Sequence, residues 1–141
     1  MIKFVDARAD EKTGISTVWL KNGKKEFCGN ALLGKGDDWS HIFGCRIAEL
    51  RATIKVINDM IETKRNEYKV IENFIKSVTC YKNFDPSSET TKCMYRQLNR
   101  KKIEINRLIT HKKMIKQFIK DSIKAREEFK TKVKHLKEKE S

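Results

Sequence analysis

Between Phe43 and Val78 the apolar residues recur at alternating steps of four and three: Phe43, Ile47, Leu50, Ile54, Ile57, Ile61, Tyr68, Ile71, Ile75 and Val78. Only Lys64 interrupts the series. Such spacing keeps side chains on one side of an α-helix, and a sustained period near 3.5 residues lets a long helix pack along a partner. Residues 37–83 are therefore read as the first long helix. Asp37, Asp38 and Ser40 serve as N-cap candidates and supply favourable negative charge at its start. Residues 84–91 form the interhelical loop, because Pro86 cannot continue a helix interior and Ser87 or Ser88, ahead of Glu89, can cap the next helix. Residues 92–141 are read as a second long helix with a frayed end. Its weaker stripe comprises Leu98, Ile105, Leu108, Lys112, Ile115, Ile119, Ser122, Arg126, Phe129, Val133 and Leu136. Each helix would be on the order of 60–70 Å long at the α-helical rise, more than a small sheet can support. The residues expected to pair the helices are Ile47, Leu50, Ile54, Ile57, Ile61, Ile71, Ile105, Leu108, Ile115 and Ile119.

The pattern changes to period two in residues 1–36. Ile2–Val5 reads as a short first strand. Ile15–Lys21 and Lys24–Cys28 flank Asn22-Gly23, the preferred dipeptide of a type I′ hairpin turn. That register sets Val18 opposite Phe27 and Trp19 opposite Glu26. Two or three strands are unstable alone. They must lean on the start of the first helix, where Gly44 and Ala48 permit close approach. The predicted fold class is α+β, mainly α: a small N-terminal β-hairpin packed on a long, coiled-coil-like antiparallel helical hairpin. The sequence leaves open whether the helices pair within one chain or the hairpin dimerises.

Charge adds a partner class to this shape. The chain of 141 residues carries a net +13, which favours polyanionic partners. The excess is concentrated at the end, where residues 84–141 hold 17 Lys and Arg against 8 Asp and Glu. Lys113, Lys116, Lys120 and Lys124 share one helical face and form a line of positive charge suited to a phosphate backbone. The candidate nucleic-acid or nucleoprotein-binding set is Arg100, Lys101, Lys102, Arg107, Lys112, Lys113, Lys116, Lys120 and Lys124. Phosphate contacts of this kind supply affinity without sequence readout.

No catalytic chemistry is expected. Gly29-Asn-Ala-Leu-Leu-Gly34-Lys35-Gly36 approaches the phosphate-loop pattern GxxxxGK[ST], but Gly36 has no hydroxyl for Mg²⁺ and no parallel-sheet unit succeeds it. His41, His111 and His135 lack a recognisable nucleophile nearby. Cys28, His41 and Cys45 could converge, yet zinc would need a fourth ligand that the sequence does not offer. Cys80 and Cys93 flank the interhelical loop without a tight zinc spacing, and all four cysteines are expected as reduced thiols. No cofactor and no metal are therefore expected. No run of 18 apolar residues occurs, and Met1-Ile-Lys-Phe-Val-Asp is too soon charged for a signal peptide. A cytoplasmic protein without a membrane partner is the expectation.

The run Lys24-Lys-Glu-Phe-Cys-Gly-Asn-Ala and the later Trp39-Ser-His-Ile-Phe-Gly-Cys-Arg-Ile-Ala-Glu-Leu-Arg-Ala resemble small phage and prophage proteins of low-GC Gram-positive bacteria. The shared helix pattern is G-x-x-[IL]-A-x-x-[RK]-A, here Gly44, Ile47, Ala48, Arg51 and Ala52. Over residues 15–55 the hairpin-then-helix order is also similar to the second half of a double-stranded RNA-binding domain. Asp37 and Asp38 depart from that pattern: they place carboxylates where an RNA phosphate would meet the helix terminus, which moves any contact to the second helix. The phage resemblance implies a non-enzymatic protein acting in the host cytoplasm on nucleic acid or a host nucleoprotein, as an anti-CRISPR-like inhibitor of a host defence nuclease. The alternative is a structural coiled-coil adaptor or oligomerisation protein with no nucleic-acid contact.

Overall fold

The computed structural model describes residues 1–32, 41–81 and 83–140. It contains three strands, β1 (Ile2–Asp10), β2 (Ile15–Asn22) and β3 (Lys25–Leu32), and then two helices, α1 (His41–Thr79) and α2 (Glu89–Glu140). The expected α+β, mainly α class is the observed one. Gly34, Lys35 and Gly36 of the glycine-rich connection, together with the N-cap candidates Asp37, Asp38 and Ser40, lie outside the described residues. The chain forms two compact units, Met1–Val56 with Lys112–Ser141, and Ile57–His111.

In the first unit the strands form an antiparallel meander in the order β1-β2-β3. Period-two alternation places Ser16, Val18 and Leu20 on one face with Gly29 and Ala31 of β3, and all five are buried. Trp19 and Cys28 pair on the opposite face, where Thr17 Oγ1 donates to Asn30 Oδ1 at 2.7 Å. The strand β1 is longer than the predicted Ile2–Val5. It carries a bulge between Phe4 and Asp6, after which Asp6, Arg8 and Asp10 point outward and Ala7 and Ala9 point inward. Charged outward residues and a bulge are the features by which an edge strand avoids pairing with another chain. A loop closed by Gly14 N donating to Asp10 O at 2.8 Å joins β1 to β2.

The β2–β3 turn differs from the expectation. Asn22 pairs with Lys25, so Gly23 and Lys24 are the central residues. Gly23 has φ +66°, and among the described residues only glycines have positive φ, which is the sign pattern of a type II′ turn with glycine first. Val18 consequently faces Gly29, not Phe27, and Trp19 faces Cys28, not Glu26. Sliding the turn by one residue shifts the pairing by two, so the assignment of residues to faces survives.

The inner sheet face rests on α1. Gly44, Ala48, Ala52 and Val56 recur every fourth residue and are all buried, forming a small-residue face beside the Ile47 stripe. A Cβ on Gly29 would be driven into the Ala48 carbonyl oxygen and the Ala52 amide nitrogen, so the absence of a side chain lets strand and helix backbones meet. Arg51 Nη1 donates to the Asn30 carbonyl at 2.8 Å and ties β3 to the same helix. The Arg126 guanidinium lies 4.8 Å from the Phe43 ring centroid and ties α2 to α1. Ser16 is fully buried and its Oγ has no hydrogen-bond partner. An unmet buried hydroxyl costs free energy that a methyl group does not, so Ser16→Ala should raise stability by about 1 kcal/mol, read from the urea midpoint.

The second unit is an antiparallel helical hairpin. Tyr81 N donates to Val78 O at 3.2 Å as α1 ends, and Asp85 Oδ1 accepts from Ser87 N and Ser87 Oγ. Those bonds hold the Asp85 carboxyl below its ordinary pKa. Of the two predicted caps, Ser88 is the one used: its Oγ accepts from Thr91 N at 3.2 Å. Thr91 is buried, and its hydroxyl donates to Asp85 O.

Candidate nucleic-acid interface on the second helix

The ten residues expected to pair the helices fall into two groups. Ile47, Ile57, Ile61, Ile115 and Ile119 are buried, while Leu50, Ile54, Ile71, Ile105 and Leu108 are half-buried. In the first unit the buried Ile115 and Ile119 fix the orientation of α2. Helical spacing sets Lys113, Lys116, Lys120 and Lys124 on one flank of α2, roughly 80–160° round the helix from these two residues, and all four lysines are exposed. None forms an ion pair among the described residues. The nearest acid on the helix, Asp121, accepts a hydrogen bond from Gln117 Nε2 at 2.9 Å. The four lysines extend over about 16 Å of helix axis at the α-helical rise. Lys112 is half-buried and sits beside the stripe rather than on this face.

The second unit holds Arg100, Lys101, Lys102 and Arg107. Arg100, Lys102 and Arg107 are exposed and likewise unpaired among the described residues. Lys101 is different. Its Nζ lies 2.6 Å from Glu67 Oε2 and 3.9 Å from Glu104 Oε2, while Lys64 Nζ lies 3.2 Å from Glu104 Oε2 and 3.7 Å from Glu67 Oε2. Two lysines on the apolar stripe are thus neutralised by two glutamates beside it, and Lys64 interrupts the stripe without an unpaired charge. Lys101 is occupied within the chain and leaves the candidate phosphate-binding set. Reading the sequence for stripes alone misses these glutamates, although their spacing of three from Lys64 and Lys101 is a signal.

The hydrogen bond and charge of Lys101 lower the Glu67 pKa below 4.5, and Glu67 raises the Lys101 pKa above 10.5. The glutamate contribution is complete above its ordinary pKa and is lost as pH falls through the lowered one. The lysine contribution is complete below its ordinary pKa and is lost as pH rises through the raised one. Acid titration of stability should therefore fall below about pH 4.5 more steeply in the wild type than in Glu67→Gln. The difference should be small, because both groups are partly solvated.

No protein family, curated protein or solved structure matches the chain. The site must be read from its own chemistry. Among the described residues no three His, Cys, Asp or Glu side chains could hold a metal ion. Cys28 is turned to the outer sheet face, away from the helix that carries His41 and Cys45, so these three do not converge. No described helix is long and apolar enough to cross a membrane.

Proposed function

We propose that this chain is a non-enzymatic binder of nucleic acid or of a nucleoprotein, acting through the α2 face of Lys113, Lys116, Lys120 and Lys124. The observation that carries this reading is the combination of four exposed, unpaired lysines along one flank of α2, clear of its buried stripe. A line of unpaired positive charges is positioned for backbone phosphates and releases counterions on contact. It offers no base-reading geometry, so recognition is independent of sequence. In the phage setting implied by the sequence resemblance, covering the backbone held by a host defence nuclease would inhibit that nuclease without chemistry.

The test is fluorescence anisotropy with labelled duplex DNA, duplex RNA and a guide-loaded nuclease. The triple variant Lys113→Glu, Lys116→Glu, Lys120→Glu should lose binding to each ligand that the wild type binds. Equal binding by wild type and variant would overturn the reading. The adaptor alternative, resting on apolar helix pairing, requires that equality.

A further inference from the structure

Past its contact with the start of α1, α2 carries a second surface that the lysine line does not use. In the first unit Arg126 stands level with Phe43, and α1 begins only two residues before Phe43, at His41. On α2 the stripe residues before Arg126, Ile115 and Ile119, are buried, and after that level the helix continues to Glu140 with no described helix beside it. Its stripe continues at steps of three and four from Arg126 through Phe129, Val133 and Leu136. Phe129 is 67% exposed and Leu136 61% exposed, while Val133 is half-buried.

The residues flanking this seam choose its occupant. When two helices pair along such a stripe, the positions immediately beside it face their counterparts on the partner. Here all four flanking positions are lysine: Lys130, Lys132, Lys137 and Lys139. Lys130 also lies 3.7 Å from Glu127, on its own helix. A second copy would set lysine against lysine across the contact and is disfavoured. The seam is one narrow line of three residues, the contact of a helix pair, rather than the broad apolar face with which a helix lies on a membrane. We infer that the segment from Phe129 to Lys139 docks an acidic amphipathic helix of a partner protein, with aliphatic residues facing the seam and glutamate or aspartate facing the lysines.

The probe is a synthetic four-heptad helix with leucine along its seam and glutamate at every flanking position, titrated into the full chain by anisotropy near physiological salt. The glutamates keep the probe from pairing with itself. Binding is expected, with a loss of about tenfold or more in Phe129→Ser, Leu136→Ser and a similar loss for a probe whose flanks are lysine. The two replaced side chains are exposed, so the variant should keep its fold, checked by far-ultraviolet circular dichroism. The lysine-flanked probe gives a second readout on unaltered protein. Lys113→Glu, Lys116→Glu, Lys120→Glu should bind the glutamate probe as the wild type does, which separates this surface from the nucleic-acid reading. The inference is overturned if a probe with alanine along its seam binds equally well, since the lysines would then be a general polyanion surface. Wild-type affinity in the double serine variant, or a homodimer that the same variant abolishes, would also overturn it.

Discussion

Raising monovalent salt from about 50 mM to about 200 mM should weaken duplex binding about 150-fold. That figure comes from four phosphate contacts, each contributing about 0.9 to the slope of log affinity against log salt. The four proposed contacts are Lys113, Lys116, Lys120 and Lys124, exposed on one face of α2. The triple charge reversal leaves one of them, so any residual binding should have a slope reduced by nearly three, and affinity should fall about 100-fold or more at moderate salt. Reversing Lys101 in the same assay should have a much smaller effect, because Lys101 already holds Glu67 and Glu104. A slope near zero would remove phosphate contacts from the account. Equal affinity for DNA and RNA duplexes is expected, since lysine–phosphate contacts read charge and not base edges.

Gly29→Ala should destabilise the sheet-bearing unit by about 3 kcal/mol or more, read from the urea midpoint of the full chain. The added methyl group would meet the backbone of Ala48 and Ala52 in α1, and backbone atoms cannot rotate away as a flexible side chain can. Strand and helix must separate, exposing Val18, Leu20, Ala48 and Ala52, all now buried. Gly23→Ala is the matched control. At Gly23 an added methyl group would find nothing within 4 Å, but φ is +66°, so the cost is conformational and should be about 1 kcal/mol. If the two substitutions cost the same, close backbone approach is not what holds the sheet to the helix.

Much of this architecture is legible in the residues. The stripe from Phe43 to Val78 can be read as one helix face because period alone decides it, and none of its members is exposed. The faces of β2 are legible for the same reason, as is close approach at Ala48, a small residue among large ones, whereas β3 runs on to Leu32, past the Cys28 at which its pattern ends. The positions of Lys113, Lys116, Lys120 and Lys124 also come from helical spacing once the stripe is known. Local pattern cannot set the turn, since Asn22-Gly23 suits two placements one residue apart and the choice depends on what β3 must meet. Only the fold shows Gly29 against the α1 backbone. It also extends β1 to Asp10, where charged residues resembling a loop belong to the outward side of an edge strand. Lys101 looks like its neighbours Arg100 and Lys102 because a sequence records charge but not what lies across a helix pair. Periodicity is a property of one element and can be read along the chain. Register, close approach and ion pairing between helices depend on two elements at once, and only their packing in space decides them.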